Sequence, residues 1–170
     1  MGLDRLPYPL CFNLPSSAWD IEKKAIHLLD HTVSPCLYVD LLVETGRDLF
    51  KVDQTEARSA IAGYRFCAGI SDQWFIDQVA LPTVRDQGTC LYYSRWPDGY
   101  NVVGSLMDIR WGDIYRNTFK CQIGNEGTSS TFEPDLDPEG VISFLSGFTT
   151  LGKGDLISLG SLVAGKLLKD

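Results

Sequence analysis

The sequence predicts an α+β fold dominated by β-strands, and three observations carry that prediction. Apolar and polar residues alternate over residues 36–44. Residues 90–122 are rich in Tyr, Val, Ile, Leu and Phe, broken by turn signals. Only two stretches combine a capping residue with a helical apolar face. At 170 residues, 44% hydrophobic and 22% charged, the chain is long enough to bury a core without disulfide or metal staples, so a single domain over 1–170 is expected.

Each element follows in chain order. Residues 20–31 permit two readings: an amphipathic helix, which would set His27 and His31 at i and i+4 as a metal pair, or a loop followed by a strand from Ile26. In 36–44 a two-residue period places Tyr38, Asp40, Leu42 and Glu44 on one strand face. Gly46 ends that strand, and Asp53-Gln-Thr-Glu56 has capping-box spacing before a short helix with Ala57, Ala60 and Ile61 on its apolar face. Gly63 is read as the stop of that helix, and 64–71 as a strand leading into an aromatic turn at Gln73-Trp74-Phe75.

Residues 90–122 read as a run of antiparallel strands with turns at Pro97-Asp98-Gly99 and Gly112-Asp113. Asp137-Pro138-Glu139 starts the second helix, with Val141, Leu145 and Phe148 as its buried stripe and Ile142 and Phe144 beside it. Lys153-Gly154-Asp155 is a turn, and 156–159 a short strand ending at Gly160. The expectation is thus two helices and roughly eight strands.

Charge and cysteines exclude several classes of function. Fifteen Lys and Arg against 22 Asp and Glu leave a net charge of −7, and the basic residues Arg47, Lys51, Arg58, Arg65 and Arg85 are scattered, so neither nucleic acid nor an anionic membrane is an expected partner. The N-terminus has no signal-peptide apolar run and no later run suits a membrane span, so a cytoplasmic protein is expected. The five cysteines, Cys11, Cys36, Cys67, Cys90 and Cys121, contain no Cys-x-x-Cys pair and read as reduced thiols rather than a disulfide framework or zinc site.

Three blocks carry a family resemblance. Residues 140–160, Gly-Val-Ile-Ser-Phe-Leu-Ser-Gly-Phe-Thr-Thr-Leu-Gly-Lys-Gly-Asp-Leu-Ile-Ser-Leu-Gly, resemble the C-terminal signature of the fumarylacetoacetate hydrolase family. Leu41-Leu-Val-Glu-Thr-Gly-Arg47, a helix and then Ile61-Ala-Gly-Tyr64 resemble the family's strand–Gly–Lys/Arg, helix and Ala-Gly-Tyr sequence. Phe12-Asn-Leu-Pro-Ser16 is similar to its Phe-x-Lys-Pro-Ser/Thr. The resemblance implies a mixed β-roll of bent sheets with a few short peripheral helices, usually dimeric, and chemistry on small 2-oxo or 4-oxo acids. Gly160-Ser-Leu162 also resembles the hydratase and decarboxylase branch, and the chain ends sooner after it than relatives do, so the last strands of the roll are expected to be missing.

The family holds Mg²⁺ or Mn²⁺ with three carboxylates, because a hard cation needs several oxygen ligands while it stabilises a developing enolate. Carried onto this chain, the first ligand position is Tyr38, the second Asp40 and the third Gly69. One carboxylate of three remains. Glu44, on the same face, is about 13 Å from Asp40 along a strand, too far to share an ion, and Asp72 is out of register with the third position. The family's substrate-clamping lysines are also missing, one replaced by Leu14 and the other absent from 78–83. Arg65 or Arg85 is then the candidate anion clamp.

Two functional readings follow. In the first the chain is a non-catalytic binding or partner subunit, a homodimer or a heterodimer with a catalytic paralogue, resembling the half of the family's fused isomerase/decarboxylase whose metal site has eroded; no cofactor is expected, and any Mg²⁺ or Mn²⁺ would rest on Asp40 alone. In the second it is a divergent enzyme for isomerisation, decarboxylation, hydration or C–C hydrolysis of a small oxo acid. Asp40 is then the acid/base, Ser161 with nearby backbone amides the oxyanion donor, and Tyr38, Tyr64, Arg65 and Gly160 line the substrate.

Overall fold

The computed structural model describes residues 13–21, 25–85, 87–115, 117–123, 126–131 and 137–168. In chain order its elements are β1 (Trp19–Asp20), β2 (Pro35–Thr45), α1 (Gln54–Ser59), β3 (Ile61–Asp72), α2 (Gln73–Phe75), a π-helical turn (Ile76–Ala80), α3 (Leu81–Val84), α4 (Gln87–Ser94), β4 (Asn101–Val103), α5 (Trp111–Ile114), β5 (Thr118–Ile123), β6 (Glu126–Thr131), α6 (Pro138–Ser146) and β7 (Leu156–Leu167). Five strands make one sheet in the order β1-β4-β3-β2-β7, and β5 and β6 pair apart from it. Only the β1–β4 pair in that sheet is parallel. The architecture is the β-rich α+β class expected from the sequence.

Pairing between β2 and β3 sorts side chains by parity. Their register runs from Pro35 opposite Asp72 to Glu44 opposite Gly63, with a bulge between Glu44 and Thr45. Odd residues Leu41 and Val43 enter the main core with Tyr64, Ile114, Ile142 and Leu162. Even residues face the other side, where Leu42 packs with Cys67 and Val103. A one-residue slip would exchange the two sets, so this apolar face fixes the register.

Both helices expected from the sequence form. The Asp53 carboxylate accepts from the Glu56 amide at 2.8 Å and caps α1. Asp137 holds the cap position of α6, but its carboxylate accepts from Trp111 Nε1 at 3.0 Å instead of capping the amides. Val141 and Ile142 are the buried stripe of α6; Phe148 lies beyond its end and is 77% exposed, so it leaves the stripe proposed for it.

Several expectations are corrected. Residues 73–75 are helical, not an aromatic turn, and 90–94 are helical, not the start of a strand run; Asp72 caps α2 by accepting from the Trp74 amide at 3.0 Å, and Pro82 suits the first turn of α3. In α4 the β-prone run around Cys90 is helical because Cys90 is buried against Ile76 and Ala80, and such tertiary burial outweighs β-propensity. The Gly112-Asp113 turn signal lies inside α5. Helix α1 stops at Ala60 before Gly63, which sits inside β3 at φ +156°, where an added Cβ would lie 2.7 Å from the Met107 carbonyl oxygen.

The last strand and the His-containing segment complete the corrections. β7 does not end at Gly160 but continues to Leu167, with register shifts against β2 at Val39, Asp40 and Leu42. Residues 25–29 adopt no regular structure, so neither the helix nor the strand from Ile26 forms there; His27 and His31 are both exposed, and 22–24 lie outside the described residues. Among the described residues no helix is long and apolar enough to cross a membrane.

Candidate functional site

The even face of β2 gathers the candidate residues through strand register alone. Tyr38 stands opposite Gly69 on β3, and Gly69 opposite Asn101 on β4. Asp40 stands between Cys67 on β3 and Ser161 on β7. The register shifts of β7 on either side of Ser161 are bulges, which re-aim a side chain without breaking the strand. Gly160, at φ +117°, supplies the backbone conformation this needs. Ser161 Oγ donates to Asp40 Oδ1 at 2.5 Å.

The centre of the site is filled by Arg95, from the turn that closes α4. Its Nη1 donates to Asp40 Oδ2 at 2.9 Å, while Nε and Nη2 donate to Asn101 Oδ1 at 3.2 and 2.9 Å. Its Cζ lies 5.6 Å from the centroid of the Tyr38 ring, within cation–π range. Asn101, fully buried, holds the arrangement from behind by donating Nδ2 to the Ala18 and Arg95 carbonyls at 3.1 and 3.0 Å. A Cβ on Gly69 would lie 2.5 Å from Arg95 Nη2, so only glycine leaves room for the guanidinium there.

The ion pair is secluded, with 12% of the Arg95 side chain and 4% of Asp40 exposed. In such surroundings a pair is sustained by good geometry, and removing one partner costs about 3–5 kcal/mol because it strands a buried charge. The neighbouring Cys67 thiol is pushed up to about 12, first by burial and then by the Asp40 charge, partly opposed by Arg95. It is an inert thiol, not a nucleophile. Both Asp40 oxygens are already hydrogen-bonded, one to Arg95 and the other to Ser161.

The residues present do not fit a divalent cation. Of the three positions the resemblance points to, Tyr38 and Gly69 offer no carboxylate, Asp40 is already committed, and a guanidinium occupies the space between them. Among the described residues no group of three or more His, Cys, Asp or Glu could hold a metal ion.

The other candidates are dispersed. Tyr64 is on the opposite face of the sheet, buried in the main core and stacked on Trp111 at 5.9 Å, so it cannot line a site at Asp40. Arg65 shares the Asp40 face but is spent on Glu44 at 2.5 Å and the Gly104 carbonyl at 2.9 Å. Arg85 is exposed after α3 in a left-handed conformation. The Gly160 amide donates to Ser158 Oγ at 3.2 Å instead of standing free as an oxyanion donor. Asp72 fastens the chain before β2 by accepting from the Val33 and Ser34 amides at 2.9 and 3.0 Å. Cys36, Cys67 and Cys90 are buried free thiols and Cys121 is half-buried; Cys11 and Phe12 lie outside the described residues.

Arg95 and Asn101 are the residues sequence reasoning misses. Arg95 is 55 positions from Asp40 and falls in a stretch that reads as strand, so no spacing connects the two. The one available signal was a cation set among aromatics, Tyr92-Tyr-Ser-Arg-Trp96.

A hollow of about 350 Å³ lined by Ile26, Leu37, Ala68, Ile70 and Val102 is apolar and lies on the other face of the sheet from Asp40, since Leu37 and Ala68 are on the odd-residue side. It carries none of the polar groups of the candidate site.

Comparison with known proteins decides the family. The family model for the C-terminal part of fumarylacetoacetate (FAA) hydrolase matches residues 3–169. The chain belongs to the fumarylacetoacetate hydrolase family. No curated protein sequence matches it. Among solved structures it resembles a fumarylacetoacetate hydrolase family protein from Yersinia pestis, at TM-score 0.76 and 18% identity over 92% of this chain and 71% of that one. A provisionally described isomerase from Escherichia coli gives 0.76 and 18% over 97% and 78%. Fumarylpyruvate hydrolase from Pseudomonas aeruginosa, in complex with Mn²⁺ and pyruvate, gives 0.73 and 18% over 97% and 71%. At such identities the likeness is one of fold.

Proposed function

We propose that this fumarylacetoacetate hydrolase family member is a non-catalytic binding or partner subunit in the cytoplasmic metabolism of small oxo acids, paired with a catalytic paralogue or with itself. One observation carries the reading: Asp40, the single acid at the three ligand positions, is held by Arg95 and Ser161, and Arg95 also lies over the ring of the buried Tyr38. The substrate class comes from the fold relative that binds Mn²⁺ and pyruvate. A partner role is supported by β7, a 12-residue strand that lies at the edge of the five-stranded sheet among the described residues, since an edge strand leaves backbone groups open for pairing.

The test is calorimetric titration of the purified chain with Mg²⁺ and Mn²⁺, with and without oxalate or pyruvate, alongside co-purification with a catalytic paralogue. We expect no metal-dependent oxalate binding and a stable complex with the paralogue. Metal-dependent oxalate binding, or turnover by the chain alone, would sink the proposal. The Ser161–Asp40 hydrogen bond, with Ser161 exposed at its outer end, favours the second reading of a metal-independent enzyme; loss of any measured turnover in Ser161→Ala and Asp40→Asn would establish that reading instead.

A further inference from the structure

Arg95 is placed by more than its pairing with Asp40. Its guanidinium meets each of the three positions that the family resemblance points to as ligand positions: Nη1 is 2.9 Å from Asp40, Cζ is 5.6 Å from the ring of Tyr38, and Nη2 is 2.5 Å from the point where a Gly69 Cβ would stand. Tyr38 and Gly69 face each other directly in the β2–β3 register, so these contacts converge on one place.

The surroundings are those of a cation site. Asp40 Oδ2 and Asn101 Oδ1 aim oxygens at the guanidinium, the Tyr38 ring presents its face, and Ser161 steadies the far oxygen of Asp40. Gly69, Arg95 and Asp40 also depend on one another. An acid at position 69 would collide with Arg95, and without Arg95 the buried Asp40 would be unpaired.

We propose that Arg95 is the resident cation of this site, a positive charge delivered by the chain itself to the place where a divalent ion would otherwise sit among carboxylates. The site is therefore a closed cation cradle, rebuilt around a guanidinium instead of simply stripped of ligands. A guanidinium is suited to the role because it stays protonated, is weakly hydrated and offers several donors in a plane, so it can be held by one carboxylate, one amide oxygen and one ring. The inference stands whether or not the chain turns over a substrate.

Arg95→Ala is the test, with methylguanidinium chloride as the probe. The variant should lose on the order of 10 °C in Tm, as expected for a stranded buried carboxylate, and millimolar methylguanidinium should restore at least half of that loss. Urea and NaCl at the same concentration should restore none. In Asp40→Asn/Arg95→Ala the cradle has lost its charge, so the probe should have no effect. If Arg95→Ala does not fold unaided, its refolding yield with and without methylguanidinium reads the same property. A Tm unchanged by Arg95→Ala, no recovery with the probe, equal refolding yields, or equal recovery in the double variant would each overturn the proposal. Turnover by the wild-type chain would defeat the non-catalytic reading and leave this result intact.

Discussion

Gly69→Ala drives a methyl group into the guanidinium of Arg95. The new Cβ would lie 2.5 Å from Nη2 and 3.1 Å from Cζ of Arg95, and 2.9 Å from Asn101 Oδ1, all shorter than ordinary carbon contacts. Arg95 must move to relieve its two contacts, and Asn101, tied to two backbone carbonyls through its Nδ2, must still shift to relieve the third. Overpacking a buried site costs about 1–3 kcal/mol, and loss of the Asp40 partner about 3–5 kcal/mol. One displacement causes both effects, so they do not add in full and about 3 kcal/mol is expected. For a chain of this size that is about 6–12 °C in Tm.

Urea unfolding followed by tryptophan fluorescence and far-UV circular dichroism measures the cost, with a lower midpoint and an unchanged slope as the signature. Gly112→Ala is the control: an added Cβ there meets nothing within 4 Å, inside α5, so it should be neutral or stabilising by up to about 1 kcal/mol. Combining Gly69→Ala with Arg95→Ala should remove the part of the penalty that comes from displacing Arg95, with only the contact to Asn101 Oδ1 left. A Gly69→Ala chain as stable as wild type, or one that pays the same cost without Arg95, would refute the reasoning.

Three further outcomes are expected. The Cys67 thiol, raised to about 12 chiefly by burial, should stay unmodified by a disulfide reagent at pH 8 in the native chain and react once urea unfolds it; rapid native labelling of Cys67 would contradict its placement. Tyr64 is raised from 10.0 to about 12, first by burial and then by Glu139 and Asp137. The folded chain therefore keeps a proton that the unfolded chain releases, and stability present below pH 10 is lost as pH rises toward 12, by about 1 kcal/mol at pH 11. Denaturation between pH 9 and 11 should show a slope to which the raised Cys67 thiol also contributes, and Tyr64→Phe should reduce it by the Tyr64 share, most visibly above pH 10. Ser146 Oγ accepts from the Val52 amide at 3.2 Å and donates to the Ser143 carbonyl at 2.9 Å; Ser146→Ala leaves that buried amide unpaired and should cost about 1–3 kcal/mol by the same assay.

Local signals were read correctly where the interaction itself is local. The strand at 36–44, the Asp53 cap and the start of α6 follow from period and capping spacing over a few residues. Residues 73–75 and 90–94 were misread because the first are helical through the Asp72 cap and the second through burial of Cys90 against Ile76 and Ala80, which no short-range pattern shows. The continuation of β7 past Gly160 depends on bulges that a glycine can equally supply in a turn.

The sequence by itself determined the fold class and the shared face of Tyr38 and Asp40, which rest on residue pattern and on the two-residue period of a strand; its resemblance to the family pointed to positions 38, 40 and 69, of which only Asp40 is an acid. Only the tertiary structure decided what fills the gap, because Arg95 meets Asp40 and Gly69 through strand register and the path of α4. Neither leaves a spacing in the chain. The same distinction removes Tyr64: adjacent residues on a strand are one position apart in sequence but on opposite faces of the sheet, and Tyr64 belongs to the core while Arg65 belongs to the face of Asp40.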